Sequence, residues 1–295
     1  MEKILVAIDS QCMDEATVAF ACQLAKLTQS KLTGVFLEEP EMEDAIFLSR
    51  GKDSYVDSVE IREAGEEDPD RVSVRRGNMD LFRELAEENN VQVCIHLDKG
   101  VPIEELVAES RFSDVLIVNA ATSFSDMDEN VPTGFVKNVL HDAGCPVIIS
   151  PEQFDGVDNI VFCYDGSKSA VFAMKQFTYL FPELKSRRVK VIYLNDETAF
   201  TEEEVQRVAE WIRHHYNNDV EWVISNEEAK EALFDFLVKK GSDFVVMGAY
   251  GKGLLASFFR PGGNGKNKGG WGDEWDEEEG EGLRTAALPI FVSHF

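Results

Sequence analysis

Positive charge is scarce in this chain. Its 29 Lys and Arg stand against 55 Asp and Glu, a formal net charge of −26, and no basic stripe gathers the cations it has. Such a surface repels phosphate polymers and anionic lipid, which argues against nucleic acid and membrane as partners. Long apolar runs are also missing. Nowhere do the roughly 18 consecutive apolar residues of a membrane span occur, and the opening MEKILVAIDS turns acidic too soon for a secretory signal. The 5 cysteines, Cys12, Cys22, Cys94, Cys145 and Cys163, are odd in number, scattered and mostly inside apolar segments. That excludes a disulfide framework, offers no metal-ligand spacing and predicts buried free thiols. His214 and His215 are adjacent, so on a helix they diverge and read as surface residues rather than a ligand pair. No metal site is expected, and the cytoplasm is the expected compartment.

The remaining composition is that of an ordinary globular protein, 44% hydrophobic over 295 residues, which leaves room for two domains of average size. Lys3 to Ile8 reads as an apolar strand ending in Asp9-Ser10. Asp14 to Thr28 carries Ala16, Ala19, Phe20 and Leu24 at helical spacing, and Lys31 to Leu37 is a second strand, so a βαβ unit is expected. Glu38 to Arg76 is polar and charged, broken by Pro40 and Pro69, and predicts a long surface excursion with a short helix or strand within it. Helices are then expected over Asn78 to Glu88, Pro102 to Ser110 and Gly134 to Asp142, with strands over Val91 to Leu97, Asp114 to Asn119 and Pro146 to Ser150.

The pattern then repeats. Asn159-Ile-Val-Phe-Cys-Tyr-Asp165 lines up with Lys3 to Asp9, and Val189 to Asp196 with Lys31 to Glu38. Ser242 to Gly248 matches Ser113 to Asn119, and Ala287 to Ser293 matches Gly144 to Ser150. Matches in the same order at similar spacing indicate an internal duplication. The expected domains are 1–151, with the excursion 38–76, and 158–295. In the second copy a compact acidic helix, Thr201 to Asn217, replaces the excursion, opened by Thr201 and Glu204 in capping-box spacing.

The stretch from Ser242 through Gly248-Ala-Tyr-Gly251 to Gly253 is a buried strand running into a glycine turn. Two permissive residues beyond the carboxyl end of a parallel strand stand where open α/β sheets bind ligands, and free amides there suit an anion. A strand ending in Asp-Gly-Ser, a helix, a second strand and a late strand running into Gly-x-x-Gly together resemble the universal stress protein family. Two such units in one chain resemble its tandem members. The resemblance covers nearly the whole chain apart from the excursion and a segment near the carboxyl end. It implies an α/β fold with a Rossmann-like, adenine-nucleotide-hydrolase-like sheet of five parallel strands in each domain, the two packed as an intramolecular pseudo-dimer. It also implies a stress-response or regulatory role without catalysis or, alternatively, an adenine-nucleotide switch or slow ATP hydrolase using ATP with Mg²⁺.

In nucleotide-binding members the glycine pair is followed nine residues later by Gly and Ser or Thr, and together these hold the phosphates. Carried over residue by residue, the second domain offers Asp165 and Gly166 by the ribose, the backbone of Leu194 by the adenine, and Gly248, Gly251 and Lys252 at the phosphates. Pro261-Gly262 then stands where Gly-Ser or Gly-Thr is expected, so a hydroxyl is missing. The first-domain equivalents, Asp9, Leu37, Asn119 and Thr122, are degenerate, with Asn119-Ala-Ala-Thr122 in place of the glycine pair. Asp9 and Asp165 have a plainer use as caps of the following helices. No general base is tied to the glycine turn, so no catalytic residue is nominated.

Residues 261–282, PGGNGKNKGGWGDEWDEEEGEG, replace the segment where the last phosphate contacts and the final helix are expected. Gly265-Lys266 lacks the glycine spacing and the Ser or Thr of a P-loop, and the acids are not spaced as an EF-hand. A mobile acidic insert is expected there. Protein partners are open at the excursion, and the chain is expected as a monomer built as a pseudo-dimer or as a homodimer.

Overall fold

The computed structural model describes residues 1–39, 68–98, 100–125, 127–193, 201–224, 242–248 and 288–293. The first half carries β1 (Lys3–Asp9), α1 (Glu15–Thr28), β2 (Lys31–Leu37), α2 (Pro69–Glu88), β3 (Val93–Asp98), α3 (Pro102–Ser110), β4 (Val115–Val118), α4 (Gly134–Asp142) and β5 (Val147–Ile149). The second half carries β6 (Asn159–Tyr164), α5 (Lys168–Leu180), a 3-10 turn at Pro182–Ser186, β7 (Arg188–Tyr193), α6 (Glu202–His215), β8 (Val220–Ile224), β9 (Asp243–Gly248) and β10 (Ile290–Ser293).

One ten-stranded sheet runs through both halves in the order β3-β2-β1-β4-β5-β10-β9-β6-β7-β8. Every pairing within a half is parallel, and the halves join where β10 pairs antiparallel with β5, Phe291 opposite Ile148. The five parallel strands expected of each unit are present. The duplication read from the sequence becomes a pseudo-twofold relation about the β5–β10 seam, with both closing strands paired inside the chain.

β4 and β9 are buried along their whole length, as expected of parallel strands covered on both faces. Alternate side chains separate into two cores. Ile4, Val6, Ile8, Phe162, Phe244 and Phe291 pack with α1, α2, α5 and α6 on one face. Leu5, Ala7, Leu116, Val118, Val245 and Met247 pack with α3 and α4 on the other. Each core holds residues of both halves, and Phe154, in the connection, stacks edge-on against Phe20 of α1 at 4.8 Å.

Helix α2 starts earlier than the Asn78 expected. It begins at Pro69, capped by the Asp68 side chain on the Asp70 amide, so the last part of the supposed excursion is helix. Proline marks loops in many settings, but at the first helical position its missing N–H costs nothing. Residues 40–67 and the insert 261–282 lie outside the described residues. Helix α6 begins as the spacing predicts, with Thr201 and Glu204 forming a reciprocal capping box.

All five cysteines are free; Cys22, Cys145 and Cys163 are buried as expected, whereas Cys12 and Cys94 are exposed. Cys12 follows β1 in a surface turn, and Cys94 lies in β3 at the edge of the sheet. His214 is exposed and His215 half-buried against Trp211.

Asp98, at the end of β3, has a buried Oδ2 with no hydrogen-bond partner among the described residues. Burial and the nearby charge of Glu109 push its carboxyl above the usual range, with His96 opposing. A carboxyl raised on folding lowers stability as pH climbs from its unfolded pKa through its folded one. Asp98→Asn is therefore expected to melt higher than wild type at pH 7, with the gap closing toward pH 4; a gap that widens in acid would contradict this.

Candidate functional site

The carboxyl ends of β1 and β6 carry the same local device. Asp9 Oδ1 accepts a hydrogen bond from the Gln11 amide at 2.8 Å, and Asp165 Oδ1 accepts one from the Ser167 amide at 2.8 Å. Neither aspartate caps the helix that follows. Asp14 caps α1, accepting from the Thr17 amide, and Ser167 caps α5, accepting from the Ala170 amide. The two aspartates instead brace the strand-to-helix turns, and in the second half Gly166 supplies the positive φ of +81° that this turn uses. Burial pushes the Asp9 carboxyl above its ordinary range against the opposing Gln11 and Cys12 amides.

Beyond these aspartates the halves diverge. In the first, the space over the ends of β1 and β2 is closed by the chain itself. Arg75, reaching down from α2, donates to Glu38 Oε2 at 2.8 Å, and the two side chains are 10% and 11% exposed. Ser10 and Gln11 donate to Glu38 Oε1 at 2.6 and 3.1 Å, and the Asn78 side-chain amide donates to the Ser10 carbonyl at 2.8 Å. Burial alone would raise the Glu38 carboxyl, but the bonds from Ser10 and Arg75, the Arg75 charge and Gln11 hold it below the usual range. Leu37, the expected adenine neighbour, is fully buried in the core shared with α3 and α4.

The far side of the first-half site is filled as well. Asn119, just past β4, donates through Nδ2 to Asp14 Oδ2 at 2.8 Å and to Thr17 Oγ1 at 3.2 Å. Its Oδ1 accepts from the Ala121 amide at 2.8 Å. The Thr122 amide donates to the Asn119 carbonyl at 3.1 Å, and the Thr122 carbonyl accepts from the Thr133 hydroxyl. Thr133 caps α4, and the next amide, Gly134, donates to Glu129 Oε1 at 3.0 Å. Thr133 stands at the spacing where the resembled motif has its Ser or Thr, so the first half keeps the hydroxyl that the second lacks. Counting on from Thr122 finds Thr133 in the sequence; nothing there singles out Glu38, Arg75 or Glu129.

In the second half Gly248 takes the place of Asn119. β9 pairs with β10 so that Gly248 lies opposite Ser293. Gly248 does not have a positive φ; it is needed for close approach. A Cβ built on it would lie 2.6 Å from Ser169 Oγ, 2.7 Å from the Ser169 carbonyl carbon and 2.8 Å from the Ala170 nitrogen. The backbone it approaches is therefore the first turn of α5. Asp165, Gly166 and Gly248 are brought together around that turn. Leu194, Gly251 and Lys252 lie outside the described residues.

Among the described residues, no group of three or more His, Cys, Asp or Glu side chains is placed to hold a metal ion. No described helix is long and apolar enough to cross a membrane.

No family model and no curated protein matches the sequence. Solved structures do match the fold. A universal stress protein from Archaeoglobus fulgidus DSM 4304 superposes with a TM-score of 0.64 at 13% identity, over 99% of this chain and 98% of that one. A putative universal stress protein from Pseudomonas aeruginosa UCBPP-PA14 gives 0.54 at 13% identity, over 100% and 93%. A functionally unknown protein from Pseudomonas aeruginosa PAO1 gives 0.52 at 12% identity, over 100% and 92%. The chain thus has the universal stress protein fold, in two tandem copies.

Proposed function

We propose that this protein is a non-catalytic regulatory module of the stress-response type whose second half binds one adenine nucleotide and whose first half binds none. The observation that carries this reading is the asymmetry between Asn119 and Gly248. At the same place in the duplicated sheet, the first half seats a side chain bonded to Asp14 and Thr17, whereas the second keeps a bare glycine against α5. With the Arg75–Glu38 pair lying over β1 and β2, the first half has exchanged a ligand crevice for internal hydrogen bonds.

The absence of a nominated base supports a binding rather than a hydrolytic role. Among the described histidines, His96 and His141 face Glu109 and Asp142, while His214 and His215 bond carbonyls of their own helix. Mg²⁺ would enter as the counter-ion of the phosphates. On a chain of net charge −26 it lowers the repulsion a bare triphosphate would meet. Three buried thiols fit a reducing compartment such as the cytoplasm. Burial pushes Cys22 and Cys145 up to about 11 and Cys163 up to about 12, so they are not reactive thiolates. Because β5 and β10 pair with each other, neither closing strand is left as an edge for a second chain, which favours a monomer.

Denaturing the purified protein and assaying the supernatant for ATP, ADP and AMP is expected to release one nucleotide species. Titration calorimetry on stripped protein is expected to show one Mg-ATP site per chain at micromolar Kd, lost in Gly251→Val. Two equivalent sites, or none, would overturn the reading.

A further inference from the structure

The first turn of α5 holds a polar group that the described chain does not satisfy. Ser169, the second residue of the helix, is 4% exposed, and its Oγ is buried without a hydrogen-bond partner among the described residues. A buried hydroxyl left unpaired costs folding free energy, and a group from outside the chain would remove that cost.

In the first half a side chain covers the matching helix turn, although the hydroxyl it meets, on Thr17, stands three residues after its cap whereas Ser169 stands two after Ser167. Asn119 extends its amide to the cap residue and to the Thr17 hydroxyl of α1 at 3.2 Å, and Thr17 also bonds Ser150 at 2.6 Å. In the second half the equivalent of Asn119 is Gly248, which has no side chain to offer, and the unpaired Ser169 Oγ stands 2.6 Å from where its Cβ would be. Around this hydroxyl the 13-residue α5 begins with no acidic residue in its first turn, so its amino-terminal partial charge is not offset locally. Ser167 caps only the Ala170 amide there.

We infer that the Ser169 hydroxyl, with the first-turn amides of α5, contacts a phosphate group of the ligand held beyond Asp165 and Gly248. The inference rests on the binding reading above but specifies a different residue on a different element from the glycine turn, and it requires a phosphate rather than a complete nucleotide.

The test compares wild type and Ser169→Ala by titration calorimetry of the full chain with Mg-ATP and, separately, with pyrophosphate, alongside melting temperatures without ligand. The expected result is at least a tenfold loss of affinity for both probes, with a melting temperature unchanged or raised because an orphan hydroxyl has gone. Unchanged affinity overturns the inference and leaves the nucleotide reading standing. A lowered melting temperature without ligand also overturns it, since the hydroxyl then has a partner within the chain. Wild type that binds pyrophosphate, weakened by Ser169→Ala, but not Mg-ATP keeps the inference and defeats the nucleotide reading. Wild type that binds neither defeats both.

Discussion

Arg75→Met is expected to destabilise the protein by about 3 kcal/mol, the lower end for breaking one side of a buried ion pair. Glu38 would keep its bonds from Ser10 and Gln11 but lose the guanidinium that balances its charge in a place where both partners are nearly buried. The double variant Glu38→Gln/Arg75→Met is expected to recover much of the loss, because removing both charges leaves no uncompensated carboxylate. Urea unfolding of the two single variants and the double variant isolates the coupling. The pH dependence gives an independent check. Because the folded Glu38 carboxyl is held below its ordinary range, its contribution is complete above the unfolded pKa and disappears as pH falls through the folded one. In Arg75→Met the Arg75 bond and charge are lost while the bonds from Ser10 and Gln11 remain, so the carboxyl is held down less firmly against its burial and stability should fall less steeply with acid below about pH 4.5. Additive single-variant losses, or an unaltered acid limb, would show that the pair does not hold α2 over the first-half site.

This pair also marks where the sequence stops being readable. Glu38 and Arg75 both lie in the stretch expected as a surface excursion, because Pro69 and a dense run of charges mimic a loop. The periodicity that marks a helix is weak when the face it buries is anchored by an arginine rather than by leucines, and α2 buries only Arg75, Phe82 and Ala86. By contrast, most of the strands are legible to within two or three residues, with β8 (Val220–Ile224) missed. In a parallel sheet covered on both faces, burial turns the strand into an uninterrupted apolar run, as in Phe244 to Met247. The duplication is legible for the same reason, since those runs recur in order. How the copies meet is not. Nothing in Val147–Ile149 or Ile290–Ser293 announces that the two closing strands pair antiparallel with each other rather than with a second chain.

The site is legible in outline, with one cause misassigned. Sequence spacing points to Asp9 and Asp165 as helix caps, but the caps are Asp14 and Ser167. The distinction follows from chain length. Ser10 to Met13 separates Asp9 from its helix cap, whereas Gly166 alone separates Asp165 from Ser167. The shorter turn brings α5 close against the end of β9, and the longer one leaves space beside α1 that Asn119 fills. Gly248 is expected from the sequence to be permissive for a ligand; the structure shows it is first required by its own helix.

Gly248→Ala should therefore be costly whether or not anything binds. The added Cβ would meet the Ser169 carbonyl carbon and the Ala170 nitrogen as well as Ser169 Oγ, all under 3 Å, and backbone atoms of a helical turn cannot rotate away as a side-chain tip does. Either β9 or α5 must shift, and both are tied into the sheet core through Phe177 and Phe244, whose ring centroids are 5.0 Å apart. Overpacking of this kind costs about 1 to 3 kcal/mol, and the upper end is expected here because the partners are main chain. Adding Ser169→Ala should not rescue it, since two of the three close atoms remain. Gly77→Ala serves as the opposite control. Gly77 sits within α2 with open space where an added methyl group would point, so exchanging a helical glycine there should raise stability by up to about 1 kcal/mol. Chemical denaturation of these variants without ligand separates the packing role of Gly248 from its place in the crevice. A Gly248→Ala protein as stable as wild type would mean that α5 stands further from β9, and the asymmetry with Asn119 would then need another physical cause.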